Sequence, residues 1–203
     1  MNVLFIKSSP NPASNSAKAA TEGARLAGIE ITEILDTIES RPPAYGSDLM
    51  AAVFAGAKYP AAIEAREKSD AYVAQLKKAD VVLVAVAMHN FGIPSGLKAW
   101  MDQVARPGET FEYSANGPRG LLNGKKVIVV SASGGDYHGE SAAMDHALPH
   151  VKSFFEFLGA TVDAVPLGGM ALPNAAESRQ AAAERVAISL ALASHEKSAS
   201  AVE

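Results

Sequence analysis

The chain reads as an α/β protein, a three-layer α/β/α sandwich around a five-stranded parallel sheet of order 2-1-3-4-5, in a single domain over residues 1–203. Three observations predict this. Val3–Ile6, Val81–Val86 and Val127–Val130 are short, continuously apolar runs, which suit strands buried on both faces. Segments with helical spacing separate them. Strand and helix signals alternate along the chain, and that order requires right-handed crossovers, for which 2-1-3-4-5 is a common five-strand solution.

Taken in order, Val3–Ile6 is the first strand and Ser14–Ala27 the first helix, stopped by Gly28. Ile29–Leu35 alternates apolar and polar residues and predicts a second strand. Residues 36–59 form a long connection in which Ser47–Ala57 predicts a short extra helix. Pro60–Lys78 carries Ile63, Tyr72, Val73 and Leu76 among charges and predicts a helix leading into the third strand. Pro94–Arg106 places Leu97, Trp100, Met101 and Val104 on one helical face. Gly and Pro break the stretch from Pro107 to Gly124, leaving Thr110–Tyr113 as a short extended piece before the fourth strand. Ser141–Leu158 reads as a helix, Thr161–Leu167 as the fifth strand, Ala175–His195 as the last helix and Glu196–Glu203 as a frayed tail.

At 203 residues, with 48% hydrophobic and 20% charged residues, the chain is long enough to bury a core without staples, since a domain of this size buries roughly 70% of its unfolded surface. It contains no cysteine. That excludes thiol nucleophiles, disulfide exchange, Cys-ligated zinc and iron–sulfur clusters, and leaves any redox chemistry to a borrowed cofactor. A net charge of −4 argues against a nucleic-acid partner. No apolar run is long enough for a membrane span, and Val3–Ile6, followed at once by Lys7-Ser8-Ser9-Pro10, is no signal peptide; a cytoplasmic location is expected.

Ligands of open α/β sheets bind beyond the carboxyl ends of the strands, where strand order reverses. Three loops fall there. Ser8–Ser16 offers the hydroxyls of Ser8, Ser9, Ser14 and Ser16 and then opens a helix, whose free N–H groups attract an anion such as a phosphate. It lacks the glycine fingerprints of dinucleotide and nucleoside-triphosphate loops, and it has no lysine, so hydroxyls and amides are expected to carry the anion. Met88–Pro94 sets an amide, Asn90, beside Phe91 at a central strand's lip, suited to a flat heterocycle. Ser131–Gly135 ends in Gly134-Gly135, where backbone can approach a ligand closely. Each loop alone also reads as an ordinary capped or tight turn; their coincidence at one sheet edge carries the argument. His146 and His150 share helical spacing but lack the intervening glutamate of a zinc helix, and no G-x-S-x-G nucleophile elbow is present, so neither a metal site nor a catalytic side chain is expected.

Ser9 with Ser14-Asn15-Ser16, Met88–Phe91, Leu97-Lys98-Ala99-Trp100 leading to Arg106, Thr110–Tyr113, Asn116–Leu121 and Gly124-Lys125-Lys126 occur in this order. In that combination the chain resembles the FMN-dependent NADH:quinone oxidoreductases and azoreductases of the flavodoxin-like fold. The resemblance implies that Ser9, Ser14, Asn15 and Ser16 hold the FMN phosphate, that Met88, His89, Asn90 and Phe91 line the isoalloxazine, and that Ala132, Ser133, Gly134 and Gly135 approach the ring. It implies a homodimer in which Tyr113 and Phe157 roof the partner's site. It also implies NADH or NADPH as co-substrate and ping-pong, two-electron hydride transfer to a quinone or azo acceptor. The family often has Tyr where His89 stands and Arg where Ser133 stands, and a phosphate loop one residue longer. The alternative is a flavodoxin-like FMN electron carrier without small-molecule turnover.

Overall fold

The computed structural model describes residues 1–200. Strands β1 (Val3–Lys7), β2 (Glu33–Asp36), β3 (Val81–Ala87), β6 (Lys126–Ala132) and β7 (Thr161–Leu167) form one parallel sheet in the order β2-β1-β3-β6-β7, which is the expected order. A two-stranded antiparallel hairpin, β4 (Phe111–Ser114) and β5 (Gly117–Gly120), lies outside it. The helices are α1 (Asn15–Leu26), α2 (Ser47–Phe54), α3 (Pro60–Lys78), α4 (Ser95–Val104), α5 (Leu148–Phe157) and α6 (Ala175–Ser200).

Side chains alternate across the strands and so divide the core into two layers. Leu4, Ile6, Val82, Val84, Val86, Val127 and Val129 point to one face, where Val73 and Leu76 of α3, Leu97, Trp100 and Val104 of α4, and Val151 and Phe155 of α5 cover them. Val3, Phe5, Val81, Leu83, Ala85, Ile128 and Val130 point to the other, under Ala19, Ala20 and Ala24 of α1 and Ala182, Val186 and Leu190 of α6. The second layer is built from small residues because α1 and α6 cross closely. A Cβ added at Gly23 would lie 2.5 Å from the Val186 side chain and 2.7 Å from the Ala183 carbonyl oxygen.

Four elements differ from the sequence reading. The strand expected over Ile29–Leu35 starts only at Glu33. Gly28, at φ +66°, turns the chain out of α1, and Thr32 meets Val3 with its amide, which donates to Val3 O at 3.1 Å, and with its side chain, whose Oγ1 accepts from Val3 N at 2.9 Å in place of a backbone carbonyl and donates to Val3 O at 3.0 Å. The single helix expected over Ser141–Leu158 is two pieces, a 3-10 turn at Gly139–Met144 and α5. Asp145 divides them: its carboxylate accepts from the amides of Ala147 and Leu148 at 2.8 and 3.1 Å, and Pro149 then sits in the first turn, where a missing N–H costs nothing. The extended piece at Thr110–Tyr113 acquires a partner strand in Gly117–Gly120, a Gly-Pro-Arg-Gly stretch with no strand signature of its own. Finally, α6 runs to Ser200, so Glu196–Ser200 is helix and not frayed tail, with Lys197 paired to Asp80; residues 201–203 of that expectation lie outside the described residues.

The close crossing gives a stability prediction. Gly23→Ala drives a methyl into Val186 and the α6 backbone, so chemical denaturation is expected to show a loss of about 1–3 kcal/mol; an unchanged midpoint would mean that the α1–α6 contact has slack.

Candidate functional site

Strand order reverses at β1, whose neighbours β2 and β3 are reached by crossovers in opposite directions. Beyond the carboxyl ends of the strands a hollow of about 250 Å³ opens there, lined by Ser9, Asn11, Ser14, Asn15, Ala87, His89, Ala132, Ser133, Gly134, Met170 and Ala171. Larger grooves exist. One of about 660 Å³ runs along α1 and exposed Ile34, and one of about 680 Å³ lies at the amino ends of β3 and β6, around Lys125. The smaller hollow is the candidate because it joins the loops after β1, β3, β6 and β7 at the reversal.

Its floor is the start of α1. Ser14 is the N-cap, its Oγ accepting from Ala17 N at 3.3 Å, and no acidic residue occupies the first turn. Among the described residues, the amides of Asn15 and Ser16 have no acceptor, the orphan donors of a helix start. Ser16 is fully buried and its Oγ lies 3.0 Å from that of Ser14. Its side chain braces Ser14 from below; only its backbone can serve a ligand. Ahead of the helix, Asn11 Oδ1 accepts from Ala13 N at 2.8 Å and Ser9 Oγ accepts from Asn11 N at 3.2 Å, leaving the Ser9 hydroxyl proton free to donate. Ser8, also in this loop, is spoken for, fully buried and donating to Ala85 O at 2.8 Å.

The lip is a strained turn. His89 and Gly92 exchange both backbone bonds at 3.0 Å, so Asn90 and Phe91 are the two central residues of a tight hairpin turn, at φ +48° and +67°. Asn tolerates that region; Phe does not, and its strain is of order 1–3 kcal/mol. The His146 amide holds the turn by donating to Phe91 O at 2.9 Å, and the Phe91 ring meets Tyr137 edge-on at 6.1 Å. Phe91 remains half exposed, and Met88 packs against the core below.

The far wall is Ala132-Ser133-Gly134, held by Met170 N donating to Ser133 O and Ala171 N to Gly134 O, both at 3.0 Å. Ser133 turns its hydroxyl inward onto Gly135 O at 2.9 Å. Gly134 has no positive φ, and a Cβ there would make only an ordinary 3.9 Å contact with Ala171. The chain's own packing does not demand glycine at this position. What it leaves is open room on the wall of the hollow, suited to a flat group lying against backbone.

The structure thus brings Ser9, Ser14, Asn15, His89, Ala132, Ser133 and Gly134 to one hollow. Met88, Asn90, Phe91 and Gly135 adjoin it without lining it. Tyr113 and Phe157 lie elsewhere, clustered through Phe111 with ring centroids 5.4 and 4.9 Å apart, on the hairpin and at the end of α5, near the start of β7. Sequence reading missed Met170 and Ala171, although Gly168-Gly169 after β7 repeats the strand-then-glycine pattern of the other wall. It also missed a charge: Arg179 Nη1 on α6 donates to Asn15 Oδ1 at 3.0 Å, so the loop is not served by neutral groups alone. Lys7, next to the loop, is committed to Asp36 at 2.7 Å; burial pushes the Asp36 carboxyl up, but the bonds from Lys7 and the Ile38 amide outweigh it and hold the group below its usual range.

Residues 1–190 match the model of a family described as having a flavodoxin-like fold. An FMN-dependent NADH:quinone oxidoreductase of Mesorhizobium japonicum is 35% identical over 210 residues, covering 99% of this chain and 100% of that protein. Among solved structures, an azoreductase of Bacillus anthracis superposes with a TM-score of 0.84 at 28% identity, covering 94% of this chain and 99% of the other. An FMN-dependent NADH-azoreductase of the same species, solved in complex with FMN, gives 0.84 at 26%, covering 95% and 100%. Loops, reversal and wall therefore sit on a known frame: the chain belongs to the flavodoxin-like family that contains the FMN-dependent NADH:quinone oxidoreductases.

Proposed function

We propose that this chain binds FMN in the hollow at the β1 reversal and catalyses NAD(P)H-dependent, two-electron reduction of quinones and azo compounds. The observation that carries the reading is the pairing, in one hollow, of an anion floor with an open backbone wall. Ser9, Ser14, Asn15 and the free amides of α1 suit a phosphate, and the room beside Gly134 suits a flat ring. The donor set therefore fits FMN. When bound, FMN supplies the redox chemistry, accepting a hydride from the nicotinamide and passing two electrons to the acceptor. The protein's part is binding and orientation. Phosphate donors fix one end, the turn at Asn90-Phe91 sets the lip, and no side chain is asked to act as nucleophile or base.

A plain electron carrier is disfavoured by the relatives, which are named as oxidoreductases and azoreductases over essentially the full chain length. The site also supports a homodimer. A hollow of about 250 Å³ falls below the range of about 300–1,000 Å³ usual for small-molecule sites. Tyr113 is 72% exposed and Phe157 41%, and both lie at the amino end of the sheet, away from their own chain's hollow, free to roof a second copy's. Among the described residues no helix is long and apolar enough to cross a membrane.

FMN-loaded protein is expected to oxidise NADH or NADPH steadily when a benzoquinone is present; flavin-loaded protein without turnover would overturn the enzyme reading in favour of a carrier. Phe91→Gly relieves a left-handed Phe, so unfolding stability should hold or rise by about 1 kcal/mol while FMN affinity falls. A clear loss of stability would show Phe91 to be packing first. For the dimer, a chain carrying Ser14→Ala and Asn15→Ala, mixed with one carrying Tyr113→Ala and Phe157→Ala, should regain activity that neither has alone. No recovery after verified subunit exchange would place floor and roof in the same subunit's site.

A further inference from the structure

We propose that Arg179 is the charged member of the phosphate cradle and that it acts through Asn15, as a positioning residue. The inference rests on the FMN reading above and adds a specificity to it: recognition of the phosphate itself, by a residue 164 positions along the chain from the loop.

Arg179 sits on the second turn of α6, half-buried, with Nη1 3.0 Å from Asn15 Oδ1. It takes part in none of the ion pairs formed among the described residues, and Asn15 is its one hydrogen-bond partner there. The placement is costly for the empty chain. The start of α1 carries a positive partial charge, and a guanidinium beside it repels it unless an anion lies between or next to them. No acidic residue stands in the first turn to supply that anion. Of the cations that line the groove along α1 with it, Lys7 is paired with Asp36 and Lys18 forms no ion pair among the described residues, while Glu22, further along α1, is paired with Arg25. Arg179 itself lines the groove along α1 and reaches the hollow through Asn15, and its charge has no ion-pair partner among the described residues.

Its bond also fixes the amide. A guanidinium has donors only, so the atom of Asn15 facing it must be the oxygen. The NH2 group then has no acceptor within the described chain and is left for the hollow that Asn15 lines. Polarised by the cation on its oxygen, that NH2 is a stronger donor to a phosphate, and the charge adds a long-range attraction to the dianion. The close α1–α6 crossing at Gly23 and Val186 holds the two helices in the register that makes this bond.

The test compares FMN with riboflavin, which lacks only the phosphate, by fluorescence quenching on flavin-stripped full-length protein at several salt concentrations. Arg179→Gln is expected to raise the FMN Kd roughly tenfold or more, to flatten its salt dependence, and to leave the riboflavin Kd within about twofold. Arg179→Lys keeps the charge and should retain the salt dependence with a smaller loss. In an Asn15→Ala background, Arg179→Gln should cost clearly less than it does in the wild type, because the part of its effect that the amide carries is already gone and only the long-range attraction is left to lose. Equal loss of FMN and riboflavin binding, or no loss of either, would overturn the proposal, as would full additivity with Asn15→Ala. Circular dichroism and the Lys variant separate these results from misfolding. If the wild-type protein bound FMN no better than riboflavin, the phosphate-floor reading itself would fall, and the proposal with it.

Discussion

β1 is paired on both edges, Leu4 to Lys7 with β2 and Val3 to Lys7 with β3; from β1 the chain crosses to β2 on one side, and from β3 it crosses to β6 on the other. No helix can cover the place where the two crossovers part, so the loops after β1, β3 and β6 surround an opening that packing does not fill. Everything proposed for function depends on that constraint. α1 begins there because β1 ends there, and its unbonded amides face the opening because a helix start has no internal acceptors for them. On the proposed reading, the protein turns a gap that the topology imposes into an anion site.

The two core layers serve this opening differently. On one face, large side chains such as Trp100 and Phe155 bring α4 and α5 against the sheet with conventional bulk. On the other, alanines and Gly23 let α1 and α6 approach until backbone nearly meets side chain. That closeness sets the position of α1's start relative to β1 and brings the first turns of α6 to the same edge. Stability and binding therefore share a component. At the lip, the left-handed backbone of Asn90 and Phe91 is held in place by paired backbone bonds and the His146 amide.

Much of the fold was legible because its signals were local. Pro60–Lys78 shows its helix through a proline start and spaced apolar residues, and Val81–Val86 shows a central strand through unbroken branched aliphatics. The place of the loop after β1 was legible through its serines and the helix after it. What escaped was set by partners distant in sequence. Gly117–Gly120 becomes a strand only because Phe111–Ser114 lies opposite, and Asp145 splits a helix that apolar spacing alone would run together. Arg179 resembles any exposed arginine on a polar helix face until the fold sets it beside Asn15. Phe91 gives no sign of a left-handed backbone, because Phe is a residue that seldom adopts one.

The most direct measurement is a crystal structure of the chain grown with FMN. The account predicts the phosphate at the start of α1, within hydrogen-bond reach of Ser9, Ser14 and Asn15, the ring against the backbone of Ser133 and Gly134, and aromatic side chains of a second copy over it. Flavin bound in the groove beside Ile34 or in the lysine-lined groove around Lys125, with the hollow at the β1 reversal empty, would contradict it.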